Sequence, residues 1–116
     1  MEEPFFTPPG EGERIGPRDH RVLAELTHLE ALELSFEPDW EGVSPHTHHD
    51  HTDSFYVLEG EVEFFLDGEW HVSGPGTFVS VPPDVEHGFR PAGGSPIRVL
   101  NVHAPKVGFI DGLRNP

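Results

Sequence analysis

Four histidines lie within six positions of one short segment, SPHTHHDHTDSFYVLEG, which runs from Ser44 to Gly60. They are His46, His48, His49 and His51, and Asp50 and Asp53 flank the last of them. One residue separates His46 from His48, so in a strand both imidazoles point to the same face and can meet one ion. Two imidazoles do not complete a metal site. The segment is therefore either part of a metal site that other residues complete or a solvated polar tract.

A third imidazole could come from a second segment, GTFVSVPPDVEHGF, which ends at Phe89. It reads as a strand, a Pro-Pro-Asp turn and then His87 at the start of another apolar pair. An antiparallel hairpin of this kind brings His87 across from His46 and His48 if the two hairpins pack over each other. The alternative interpretation is a surface histidine beside a turn.

Short strands would have to position these residues. Leu32, Leu34 and Phe36 alternate with polar residues, which predicts a half-buried strand. Further apolar runs, each bounded by a turn signal, occupy residues 55–58, 62–66, 70–72, 77–81 and 97–102. Only the regions 23–32 and 110–114 permit a turn or two of helix. Short strands at this spacing predict an all-β sandwich or barrel.

Composition narrows the class of protein. The 116 residues suit one domain, with an irregular arm predicted over residues 1–20 and a single barrel over residues 21–116. A formal charge of -14 disfavours binding to nucleic acid or to an anionic membrane surface. The chain has no cysteine, which excludes thiolate metal sites. No apolar run is long enough for a signal sequence or a membrane span, and a cytoplasmic location is predicted.

The two histidine segments together resemble the motifs of the cupins, a family of small double-stranded jelly-roll barrels. The first cupin motif is His-x-His, three or four residues, an acid that is usually Glu, six residues and Gly. Here His46 and His48 are followed at those spacings by Asp53 and Gly60. The second motif is Gly, five residues, Pro-x-Gly, two residues, His, three residues and Asn, and it matches at Gly76, Pro82 and His87. The resemblance covers about residues 42–91 and implies an all-β double-stranded β-helix (jelly-roll) cupin barrel.

Three positions depart from the family's pattern. Asp53 replaces the usual Glu, Asp84 replaces a Gly, and Pro91 stands at the Asn position. The shorter Asp53 raises three alternatives: direct ligation of a metal, ligation through water, or an open coordination position. Asp84 is acceptable at a turn position because Asp tolerates left-handed backbone angles.

The resemblance implies that His46, His48, Asp53 and His87 converge on one divalent transition metal inside the barrel. Because Asp53 lies in the other strand register from the His-x-His pair, the chain must turn or bulge at residues 49–52. Imidazole and carboxylate ligands suit Fe, Mn, Ni, Cu or Zn. An apolar pocket is expected around the metal from residues that share a face with Asp53 or His87, namely Phe55, Val57 and Phe89.

The remaining histidines are assigned less specific roles. A solvated turn is the favoured interpretation of His49 and His51, with His51 as an additional ligand the alternative. His103 is in phase with the inward face of the last strand and is expected to be a core or rim histidine or to hydrogen-bond a substrate or a ligand.

By resemblance, the predicted function is a small-molecule metalloenzyme of the dioxygenase type, acting on an enolic, diketone or flavonoid-like substrate. Asp53 would exchange its place with substrate or act as the catalytic base. The alternatives are a non-catalytic module that binds a sugar or a small acid, and a metal-dependent isomerase or decarboxylase. A homodimer is also predicted, because exposed strand edges need covering and Phe5 and Phe6 could anchor the arm to the core or to a second subunit.

Overall fold

The computed structural model describes all residues from 1 to 116, which form ten strands and one short helix. The elements, in chain order, are β1 (Arg14–Ile15), β2 (His20–Glu25), β3 (Glu30–Phe36), β4 (Val43–His46), β5 (Thr52–Glu59), β6 (Val62–Leu66), β7 (Glu69–Ser73), β8 (Phe78–Val81), β9 (His87–Pro91), β10 (Ile97–Ala104) and α1 (Phe109–Arg114). The predicted all-β class is confirmed. The helix α1 has six residues, and the structure contains no helix that could span a bilayer.

The strands form two antiparallel sheets. One has six strands in the order β1-β2-β3-β10-β5-β8, and the other has four in the order β4-β9-β6-β7. Neighbours such as β3 and β10, or β4 and β9, are distant in sequence, so the chain crosses repeatedly between the sheets. This is the jelly-roll arrangement that the resemblance implied.

The core lies between the two sheets and is built mainly from alternate residues of the strands. Leu32, Leu34 and Phe36 on β3 are buried, and so are Val57 on β5 and Val99 on β10. An aromatic layer completes the core, because Phe55, Phe64 and Phe89 lie with ring centroids 5.1–6.0 Å apart. Burying side chains of this size is the main favourable contribution to folding, at about 1.5–3 kcal/mol each.

Two segments differ in detail from the sequence-based expectations. Residues 23–32 form parts of β2 and β3, joined by a turn in which the Leu26 N–H donates to the Leu29 carbonyl, and contain no helix. Strand β1 lies inside the segment expected to be irregular, because Arg14 and Ile15 pair with Arg21 and His20 at the sheet edge. Phe5 is 49% and Phe6 is 91% exposed, so neither anchors the arm to the core.

Two backbone positions allow the strands to approach the site closely. A Cβ on Gly88 would lie 2.5 Å from the Val43 carbonyl oxygen, so only glycine lets β4 and β9 come this near. Asp84 adopts a φ of 71°, a left-handed conformation that Asp tolerates at this turn position. The turn that leads into β9 is thereby closed, and β9 begins at His87.

Candidate metal centre

Three separate segments bring the four residues of the predicted metal site together. His46 ends β4 and lies directly opposite His87, the first residue of β9. His48 follows β4 by two residues, and Asp53 is the second residue of β5. The chain bends at His49 and Asp50, which gives the change of register that turns Asp53 inward.

The ligand atoms of these residues converge on one point. One donor atom from each of His46, His48, Asp53 and His87 lies within 4.8 Å of all the others. His46 Nε2 is 2.9 Å from His48 Nε2, His87 Nε2 is 3.0 Å from Asp53 Oδ2, and His48 Nε2 is 3.9 Å from the same oxygen. Ligands bonded to one ion at about 2.1 Å lie roughly 3 Å apart at right angles and slightly farther apart in a tetrahedron. The donor set therefore fits a single divalent transition metal.

Backbone carbonyls orient two of the imidazoles. His46 Nδ1 donates to the Ser44 carbonyl at 2.7 Å, and His87 Nδ1 donates to the Val85 carbonyl at 3.0 Å. A ligating histidine commonly donates its other ring N–H in this way, which fixes the ring and directs the remaining nitrogen at the metal. In both residues the nitrogen so directed is Nε2.

The Asp53 carboxylate is buried and held on both of its oxygens. Oδ2 accepts a hydrogen bond from His87, while Oδ1 accepts one from Asn101 Nδ2 at 2.8 Å and lies 3.3 Å from His103 Nε2. Burial raises the pKa of Asp53, but the contacts with His103, His87 and Asn101 outweigh it and hold that pKa well below its usual range. The carboxylate is therefore ionised, and its shorter side chain still reaches the histidine cluster.

The pKa values of His87 and His48 shift in opposite directions. Burial lowers the pKa of His87, but its hydrogen bonds to Asp53 and to the Val85 carbonyl outweigh burial and raise that pKa overall. Burial lowers the pKa of His48, and the neighbouring His51 and His46 lower it further. His48 therefore favours the neutral form, the form of imidazole that binds metals.

A cavity of about 350 Å³ opens above the cluster. The four residues of the predicted metal site line it together with apolar side chains that include Leu34, Val43, Phe55 and Phe89. Phe55 and Phe89 thus lie in the predicted pocket. Val57 is fully buried but does not line the cavity, because it lies deeper in the core.

The remaining candidate histidines differ in burial: His49 is exposed, whereas His51 and His103 are buried. His49 has a side chain that is 88% exposed, as expected for a solvated turn. His51 is 5% exposed and lines the cavity, so the solvated interpretation of this residue is wrong. It is buried because the bend at Asp50 directs it inward beside His48, with ring centroids 4.4 Å apart. His103 is also buried and lines the cavity.

Two residues of the site were missed from the sequence. Asn101 holds Asp53, and Glu30 lies beyond His103, with Glu30 Oε2 3.6 Å from His103 Nδ1. Strand pairing places Glu30 opposite His103 and His103 opposite Asp53, which makes one row across three strands. The inward phase of Asn101 and His103 was the available signal, but the partner of β10 was not readable from the sequence.

Comparison of the whole sequence with known families identifies the family to which the chain belongs. The pattern of the family described as a cupin domain matches residues 32–103, and the chain belongs to that family. It is 33% identical over 92 residues to quercetin 2,3-dioxygenase of Bacillus subtilis, a match that covers 75% of this chain and 27% of that protein. The chain thus spans about a quarter of the length of this curated relative.

Solved structures show the same fold. An RmlC-like cupin from Shewanella frigidimarina superimposes with a TM-score of 0.76 and is 26% identical, covering 91% of this chain and 96% of that one. The polyketide cyclase RemF from Streptomyces resistomycificus superimposes with a TM-score of 0.66 and is 27% identical, covering 81% and 70%. The jelly-roll cupin fold is therefore supported by comparisons along most of the chain.

Proposed function

We propose that the protein is a metal-dependent cupin enzyme of the dioxygenase type that acts on a small enolic molecule. The observation that carries the proposal is the convergence of His46, His48, Asp53 and His87 in the lining of a largely apolar cavity. The similarity to a quercetin 2,3-dioxygenase supports the reaction class, although it concerns a quarter of that protein.

Three imidazoles and one carboxylate would hold the metal. A divalent Fe, Mn, Ni or Cu ion in this site supplies Lewis acidity toward an enolic oxygen and one-electron chemistry toward dioxygen. Zn also suits the ligands but has no redox chemistry, so it fits the alternatives to oxygenation.

Asp53 serves in this proposal as a direct ligand. Its carboxylate is ionised and already lies 3.0 Å from His87 Nε2, so no bridging water is needed. The low pKa of Asp53 makes the carboxylate a weak base, which favours the ligand role over the role of catalytic base.

The cavity walls would select and shield the substrate. Phe55, Phe89, Val107 and Phe109 provide apolar surface in the cavity, and the histidines, Asp53 and Asn101 provide most of its polar groups. A volume of about 350 Å³ is at the lower end for small-molecule sites, which suits a planar molecule of modest size. The apolar walls would exclude water from the reacting oxygen atoms.

Oxygen uptake tests the proposal. Metal-free protein is loaded anaerobically with Fe(II), Mn(II), Ni(II) or Cu(II) and mixed with a panel of enolic compounds that includes quercetin. We expect one loaded form to consume dioxygen and substrate in equal amounts, the His87→Ala variant to be inactive, and the exposed His49→Gln variant to be unaffected. Substrate turnover without oxygen uptake would contradict the dioxygenase class.

A metal-dependent reaction without dioxygen is the second candidate. The similarity to a polyketide cyclase, 27% identical over 81% of this chain, favours it. The same four ligands would then hold a metal that acts as a Lewis acid on a carbonyl oxygen. Turnover by the Zn-loaded protein under argon would distinguish this candidate from the first.

A further inference from the structure

We propose a second divalent-cation subsite, formed by His51, Asp53 and His103, which shares the Asp53 carboxylate with the first metal site. One ligand atom from each of these three residues lies within 4.8 Å of the other two, and all three side chains are buried. The subsite goes beyond the proposed function, which requires one metal.

The two oxygens of Asp53 face different groups of histidines. Oδ2 lies 3.0 Å from His87 Nε2 and 3.9 Å from His48 Nε2. Oδ1 lies 3.3 Å from His103 Nε2, on the other side of the carboxylate. Asn101 occupies one acceptor position on Oδ1, and a carboxylate oxygen has a second lone pair that remains for an ion. A carboxylate placed in this way can bridge two cations, the arrangement found in two-metal sites with ions about 3.5–4 Å apart.

The orientation of His51 and His103 is that of ligating histidines. His51 Nδ1 is 2.7 Å from Asp50 Oδ1, which leaves Nε2 of His51 for an ion. His103 Nε2 points to Asp53, while its buried Nδ1 has no hydrogen-bond partner and faces Glu30 Oε2 at 3.6 Å. His51 thus has a hydrogen-bonded outer carboxylate behind it, the arrangement that raises the basicity of a ligating nitrogen, whereas Glu30 faces His103 Nδ1 without a hydrogen bond.

The charge of the region also favours a cation. The Glu30 carboxylate is fully buried, and Asp53 is buried in front of it, with His103 between them. Two buried carboxylates on either side of one imidazole are stabilised by positive charge, and a divalent ion supplies more of it than a proton does. Three protein ligands would leave further positions open toward the cavity, which all three residues line. A substrate with two neighbouring oxygens could therefore contact both ions.

The stoichiometry of Zn(II) binding tests the subsite. Metal-free protein is titrated with Zn(II), and bound metal is counted after gel filtration for the wild type and for the His51→Gln, His103→Gln and His46→Gln variants. His49→Gln is the matched control, because it removes an exposed imidazole from the same segment. We expect two ions per chain in the wild type and the control, and one ion in each of the other three variants.

The outcomes separate the two proposals. One ion in the wild type that is lost in His46→Gln but kept in His51→Gln would overturn the subsite and leave the proposed function standing. No bound ion in any protein would overturn both. Circular dichroism of each metal-free variant verifies folding, and if His103→Gln does not fold, retention of two ions by folded His51→Gln overturns the subsite.

Discussion

His87 Nε2 lies 3.0 Å from Asp53 Oδ2, although 34 positions separate the two residues along the chain. The contact depends on two different sheets, because His87 begins β9 in the four-stranded sheet and Asp53 lies on β5 in the six-stranded sheet. The proposed metal centre therefore joins the two layers of the barrel. The predictions below test the ligands, the residues that hold them and the surrounding fold.

Replacing His87 with alanine should weaken metal binding by roughly 100-fold or more. Loss of an outer hydrogen-bond partner typically lowers metal affinity by about 10–100-fold, and loss of a ligand should lower it further. Competition with a chelating dye measures the affinity for Ni(II) or Zn(II). The exposed His49→Ala variant should bind as the wild type does, and equal affinities in all three proteins would contradict the ligand assignment.

Asn101 should influence the metal without touching it. Its amide donates to Asp53 Oδ1 at 2.8 Å and to the Ser54 carbonyl at 3.0 Å, which fixes the carboxylate plane. We expect Asn101→Ala to lower metal affinity by about 10-fold or more. Asn115→Ala removes an exposed amide and should have no effect. An unchanged affinity in folded Asn101→Ala would show that Asp53 needs no such support.

Much of the barrel was predictable because its strands alternate cleanly. The apolar runs at residues 55–58, 62–66 and 97–102 fall within β5, β6 and β10. The His-x-His spacing and the position of His87 similarly led to the cluster. Asn101 and Glu30 were not recognised, because their contacts arise from long-range pairing of β10 with β3 and β5. His51 was considered as an additional ligand but favoured as solvated, because the bend that turns it inward is not visible in the sequence. Sequence periodicity reports which face a residue occupies, but not which strand lies beside it.

Glu30 should order the segment before and within α1. Its carboxylate accepts hydrogen bonds from the backbone N–H groups of Val107, Phe109 and Ile110. Burial raises the pKa of Glu30, but these bonds and the nearby His103 lower it below the usual value. Glu30→Gln should lower the free energy of unfolding by about 1–3 kcal/mol, because an amide replaces a charged acceptor. Hydrogen exchange at residues 107–110 should accelerate, whereas the exposed Glu37→Gln variant should match the wild type.

Glu33 should make stability depend on pH. Burial raises the pKa of Glu33, but hydrogen bonds from Arg21 and Arg98 outweigh it and lower that pKa. A carboxylate whose pKa is lower in the folded state stabilises that state above its unfolded pKa of about 4.3 and loses this effect as the pH falls further. We expect Glu33→Gln to cost about 1 kcal/mol at pH 7, a value limited by the solvent exposure of Arg98. Urea unfolding at several pH values should show this difference shrink below pH of about 4, and a difference that grows in acid would contradict the ion-pair explanation.

The predicted homodimer would bury exposed apolar side chains of the N-terminal arm and of the edge strand β8. Phe6 is 91% exposed and Phe78 on the edge strand β8 is 64% exposed, and apolar surface of this kind favours association. Light scattering should give twice the chain mass for the wild type and a shift toward the monomer for Phe6→Ser and Phe78→Ser. A monomeric wild type at high protein concentration would contradict the predicted homodimer.

The most direct measurement for the proposed metal centre is anomalous diffraction from crystals grown with Ni(II) or Mn(II). We expect an anomalous peak about 2.0–2.3 Å from His46 Nε2, His48 Nε2, Asp53 Oδ2 and His87 Nε2. A fully loaded crystal with no peak among these four atoms, or with its peak at a surface histidine such as His71, would contradict the account.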